Sequence, residues 1–119
     1  MLQSYSTLAA GGTKVVESKL VGTTLYVGLC GELDERSAVY VRNKLDETFA
    51  ASNMRKVVIE MSELKFMDST GIGVLLGRYK KLSAAGVPIY IANPTKTIDK
   101  ILTLSGLYGI MPKIEFREA

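Results

Sequence analysis

Apolar residues along this chain follow two rhythms. From Thr24 to Cys30 they alternate, with Leu25, Val27 and Leu29 set against Tyr26, Gly28 and Cys30, which is the period of a half-buried strand. Lys14–Leu20 reads as a strand too, and Val21-Gly22-Thr23 between them predicts a hairpin. From Ala38 the step changes to three and four: Ala38, Val41, Leu45 and Phe49 share a stripe, with Arg36, Arg42, Asn43, Asp46 and Glu47 on the other side. That is an amphipathic helix, and Asp34 in Gly31-Glu32-Leu33-Asp34 is placed to cap its start. Lys56–Met61 holds the unbroken run Val57-Val58-Ile59, expected of a strand covered on both faces. A second helix opens at Asp68-Ser69-Thr70, gathers Ile72, Leu75, Leu76, Tyr79 and Leu82 on one side, and stops near Gly86. Pro88–Ala92 reads as a short strand. Asn93-Pro94-Thr95 then turns into a third helix with Ile98, Ile101, Leu102 and Leu104 inward, closing at Gly106, and Ile110–Phe116 reads as a last strand. The order β-β-α-β-α-β-α-β predicts an α/β fold, a mixed and largely parallel sheet with helices packed against it. Met1–Gly12 has no sustained period and is expected to be a leader, flexible or an ill-defined strand, ahead of a single domain over 13–119.

Composition narrows the chemistry. Fifteen Lys and Arg face twelve Asp and Glu for a net charge of +3, and 47% of residues are hydrophobic, a balance that suits a globular domain. No histidine is present, which removes Ser-His-Asp and Cys-His catalysis, histidine metal sites and a histidine pH switch. Cys30 alone makes neither an internal disulfide nor a multi-cysteine zinc site. No apolar run reaches the ~20 residues of a membrane span, so the expectation is a cytoplasmic protein without a membrane partner. The basic residues stand singly or in pairs, whereas a nucleic-acid surface favours a dense stripe interleaved with aromatics. No direct nucleic-acid contact is expected.

The most informative stretch runs from Phe66 through Asp68-Ser69-Thr70-Gly71-Ile72-Gly73 to Gly77-Arg78-Tyr79-Lys80. It starts beyond the carboxyl end of a buried strand and opens a helix, where α/β folds place ligand sites. Asp68, Ser69 and Thr70 also serve simply as caps for orphan N–H groups. Gly71, Gly73 and Gly77 each cost about 1 kcal/mol against alanine inside a helix, so either the helix lies close to the sheet or something approaches its backbone. The spacing matches neither the P-loop nor the dinucleotide fingerprint. Cys30 reads as a small core residue, and the Asp34/Glu35 and Glu60/Glu63 pairs as helix-start and surface charges. No catalytic residue, metal site or cofactor is expected.

The segment Met67 to Lys80 resembles the phosphorylation-site segment of the STAS-domain anti-sigma factor antagonists, and its Gly-Arg-Tyr-Lys ending resembles the sporulation stage II AA branch. Gly31-Glu32-Leu33-Asp34 and Leu104-Ser105-Gly106-Leu107 match as well, and the likeness runs from Lys14 to Phe116. The resemblance implies a STAS fold of about five strands with three or more helices, and a regulator that is not an enzyme. It implies that the unphosphorylated form binds an anti-sigma factor, itself a serine kinase, and so frees a sigma factor. The kinase would phosphorylate Ser69, and a serine phosphatase acting on phospho-Ser69 would restore activity. Asp34, Asp68, Ser69, Thr70, Gly71 and Gly73 would form the partner surface. Thr70 stands where the branch usually has a second serine, and the leader before Thr13 is longer than usual. Two other readings stay open: a STAS scaffold within a stress-signalling complex, and a weak nucleotide-binding protein.

Overall fold

The computed structural model describes residues 3–8 and 14–115. Its strands are β1 (Gln3–Leu8), β2 (Lys14–Val21), β3 (Thr24–Leu29), β4 (Gly31–Leu33), β5 (Lys56–Glu60), β6 (Leu64–Met67), β7 (Ile89–Ala92) and β8 (Lys113–Ile114). Its helices are α1 (Ala38–Ala51), α2 (Ser69–Ala84) and α3 (Lys96–Ser105). The main sheet has the order β1-β2-β3-β5-β7-β8. Both pairings at the β1 end are antiparallel and the three that follow are parallel. The sheet is therefore mixed and mostly parallel, as the alternation of strands and helices requires. β1 falls within the segment expected to be a leader and pairs with β2 from Gln3↔Leu20 to Leu8↔Lys14. Met1, Leu2 and 9–13 lie outside the described residues, as does Phe116 at the end of the expected last strand.

Cross-strand register explains the two-faced sheet. Leu25↔Val57↔Ile89 and Val27↔Ile59↔Ile91 stack in rows on one face, and all six belong to the main core. The opposite face carries the row Tyr26↔Val58↔Tyr90. Val58 is buried there yet stands outside the core cluster, with a half-buried tyrosine on either side. The helices cover the first face: Ala38, Val41 and Leu45 from α1, Val74, Leu75 and Leu82 from α2, Ile98 and Leu102 from α3.

Several expectations are corrected. α1 starts at Ala38 behind Ser37, and Asp34 sits one turn earlier, where its Oδ1 accepts from the N–H of Arg36 at 2.9 Å and of Ser37 at 3.2 Å. Asp34 thus caps a turn that precedes the helix. In α2 the buried stripe is Gly71, Val74, Leu75, Arg78 and Leu82, while Ile72, Leu76 and Tyr79 are half-buried. The stripe is rotated because α2 packs against α1 as well as the sheet, and Arg78 reaches Asp46 of α1 at 3.0 Å. Leu104 is 78% exposed, since Ile98 and Leu102 already fill the inner face of α3. The last strand is only Lys113–Ile114, because a 3-10 turn at Leu107–Gly109 uses up the residues before it.

Candidate functional site

A short ribbon builds the site. β4 and β6 pair in parallel outside the main sheet, with Glu32↔Phe66 and Leu33↔Met67 opposite one another. The pairing brings the start of α2, which follows β6, beside the turn that follows β4. Asp68 is the N-cap of α2, and its Oδ1 accepts from Gly71 N–H at 3.0 Å. Its other oxygen, Oδ2, accepts from the backbone N–H of Glu35 at 3.3 Å. The Asp68 N–H donates to Leu33 O at 3.3 Å, so one residue ties the helix start to the neighbouring turn in both directions.

Gly71 makes that approach possible. A Cβ built there would lie 2.5 Å from Leu33 O, 2.8 Å from Met67 Cγ and 2.9 Å from Leu33 Cγ, all closer than real contacts allow. Gly73 and Gly77 differ, for a Cβ at either meets nothing within 4 Å. Of the two reasons for glycine that the sequence left open, close packing accounts for Gly71 alone.

Around this frame the reactive groups are exposed. Ser69 and Thr70 open α2 and both face solvent. Their N–H groups belong to the first helical turn, which has no intrahelical acceptors. The neighbouring turn supplies charge. Burial pushes the Asp34 carboxyl up, but the N–H groups of Ser37 and Arg36 and the Arg36 guanidinium together outweigh it and hold it below the usual carboxylate range. Arg36 also reaches Glu32 at 3.3 Å. Glu32 and Asp34 both pair with the Arg36 guanidinium, and with Glu35 and Asp68 on the same two turns the edge is acidic.

The structure brings Asp34, Asp68, Ser69, Thr70 and Gly71 to this one edge, with Gly73 exposed on the next stretch of α2. The tie through Glu35 N–H and the β4–β6 ribbon are features the sequence did not announce, because a three-residue strand leaves no period to read. No group of three or more His, Cys, Asp or Glu capable of holding a metal occurs among the described residues. Among those same residues no helix is long and apolar enough to cross a membrane.

A model of the STAS domain matches residues 15–118. The chain belongs to the STAS family. It is 38% identical over 88 residues to an anti-sigma F factor antagonist of Paenibacillus polymyxa, covering 74% of this chain and 75% of that one. It is 28% identical over 96 residues to an anti-sigma-B factor antagonist of Bacillus subtilis, covering 81% and 86%. Among solved structures, the anti-sigma factor antagonist SpoIIAA in its unphosphorylated form superposes with a TM-score of 0.73 at 28% identity, over 87% of this chain and 90% of that one. The phosphorylated form of the Bacillus cell fate determinant SpoIIAA superposes at 0.65 with 29% identity, over 87% and 93%. This STAS domain therefore shares its fold with a protein known in two phosphorylation states.

Proposed function

We propose that this STAS domain is an anti-sigma factor antagonist switched by phosphorylation of Ser69. In the unphosphorylated state it binds an anti-sigma factor that is itself a serine kinase, and the bound sigma factor is released. The kinase transfers phosphate from ATP to the Ser69 hydroxyl, and a serine phosphatase removes it. The observation that carries this reading is the exposed Ser69 hydroxyl at the first residue of α2, directly after an aspartate that grips the neighbouring turn. The likeness to SpoIIAA and to the curated antagonists supports it.

Physical chemistry gives the switch its sign. A phosphate on Ser69 would sit at a helix N-terminus, where unpaired N–H groups and the macrodipole favour an anion, so the fold accepts it. The same group brings roughly −1.5 to −2 charge to an edge that already holds Asp34, Glu35 and Asp68. A partner surface matched to the unmodified edge then meets a new charge and its hydration shell, and each 1.4 kcal/mol lost is about tenfold in affinity. The domain stays folded and loses its partner.

Mass-spectrometric mapping after incubation with the cognate kinase and ATP tests the site. Phosphate is expected on Ser69 in the wild type and in Thr70→Ala, and none in Ser69→Ala. Ser69→Ala should keep the partner permanently, and Ser69→Asp should bind it far more weakly. Phosphate on Thr70 with none on Ser69 overturns the assignment, and a Ser69→Asp protein that binds normally overturns the mechanism.

A further inference from the structure

Two features beside the Ser69 edge are not explained by the hydrophobic core. Gly73 is exposed on α2 with open space where a Cβ would stand, so alanine would fit and would favour the helix. Arg78, further along α2, is only 6% exposed. Its Nε forms an ion pair with Oδ1 of Asp46 at 3.0 Å, but without hydrogen-bond alignment. A buried guanidinium held by one poorly aligned carboxylate is costly, and such groups are normally satisfied more fully.

Gly73 and Arg78 line the same cavity, an open cleft of about 410 Å³ between α1 and α2. Ala38, Val39 and Val74 give it an apolar wall, with Val39 57% exposed, and Thr70 marks its end nearest Ser69. Arg42 adds a second guanidinium to the lining. Against these cations stand Glu35, also in the lining, and Asp46, which is shared with Lys81 at 3.4 Å. Two guanidiniums against one carboxylate in its lining leave the cleft positive, in contrast to the acidic edge next to it.

We propose that this cleft takes a carboxylate side chain of the protein partner. The side of the Arg78 guanidinium that Asp46 does not occupy would receive the carboxylate, and the bare backbone at Gly73 would let the partner chain lie against α2. A singly charged carboxylate suits the site better than a phosphate, because Glu35 shares the cleft and the wall is apolar. The partner thus presents an acidic residue flanked by small apolar ones. This inference rests on the antagonism proposed above and adds the chemistry of one contact to it.

The test titrates the full chain against its cognate anti-sigma factor by calorimetry. Gly73→Leu fills the cleft from an open position, and Arg42→Glu reverses an exposed charge, so both should fold. Gly77→Ala, on the same helix and also with free Cβ space, serves as the control. Gly73→Leu should raise Kd about tenfold or more, the equivalent of about 1.4 kcal/mol. Arg42→Glu should raise it severalfold and flatten the salt dependence, and Gly77→Ala should leave it unchanged. A wild type that does not bind overturns the antagonist reading and this inference with it. A wild type that binds, with Gly73→Leu and Arg42→Glu equal to it, overturns the cleft alone. Inorganic phosphate that displaces the partner from the wild type, but has no such effect once Arg42 is reversed, makes the occupant a phosphate and equally overturns the carboxylate.

Discussion

Replacing Gly71 by alanine opposes two effects whose sizes can be compared. Helix propensity favours the substitution by about 1 kcal/mol. The new methyl, however, would stand 2.5 Å from Leu33 O, and that carbonyl is held by the Asp68 N–H. The side chains it would also strike, Leu33 and Met67, are 1% and 2% exposed and have nowhere to retreat. Overpacking of this kind costs roughly 1–3 kcal/mol, and contact with fixed backbone belongs near the upper end. The net expectation is a loss of about 1–2 kcal/mol, or a melting temperature lower by roughly 4–8 °C for a domain near 100 residues. Gly77→Ala isolates the propensity gain, since its methyl meets nothing within 4 Å, and should melt about 4 °C higher. Differential scanning calorimetry on the two variants and the wild type decides the matter. Equal stabilisation by both alanines would refute the close approach of α2 to β4, and the geometry of the Ser69 edge with it.

Other perturbations probe the same frame. Asp68→Ala removes the cap on Gly71 N–H and the tie to Glu35 N–H, and should cost about 1–2 kcal/mol in urea unfolding. Asp34→Lys should slow association with the anti-sigma factor and weaken its salt dependence in stopped-flow measurements, whereas unchanged kinetics would place the interface elsewhere. Tyr108→Phe deletes the 2.5 Å hydrogen bond to Asp99 Oδ1 and should cost about 1 kcal/mol. That bond is also the largest cause, ahead of Lys113, holding the Asp99 carboxyl below its ordinary value of 3.8, so NMR titration should find this carboxyl higher in Tyr108→Phe. A carboxyl lowered by folding adds stability above 3.8 that is lost as pH falls through its folded value. Acid unfolding should therefore be less steep in that variant.

What could be read from the chain depended on how long each pattern ran. The alternation of β3 and the triple stripe of α1 extend over enough residues to fix their type and their inward face. β4, with three residues, and β8, with two, carry no period at all. The inner face of α2 was misplaced because a one-sided stripe assumes a single neighbour, and this helix has two. Nothing in the sequence marks Arg78 as buried, and the structure places it inside, beside Asp46 of α1. At the site, Asp68, Ser69 and Gly71 were legible as a helix opening with an unusual glycine. That Asp68 holds a second element could not be read, because its partner there is a backbone N–H and any residue at position 35 except proline supplies one.

The tyrosine row on the reverse of the sheet bears on how this domain can be watched in solution. The chain has no tryptophan, so its ultraviolet emission comes from six tyrosines. Two of them flank Val58 across β3 and β7, on the face the helices leave uncovered, and none lies in Gly31–Asp34 or Asp68–Gly73. Intrinsic emission therefore follows the integrity of the sheet and the helix bodies, and docking at the Ser69 edge calls for a fluorophore of its own. A single thiol-reactive dye would have one place to go, Cys30, which directly precedes β4 and the ribbon that frames Ser69.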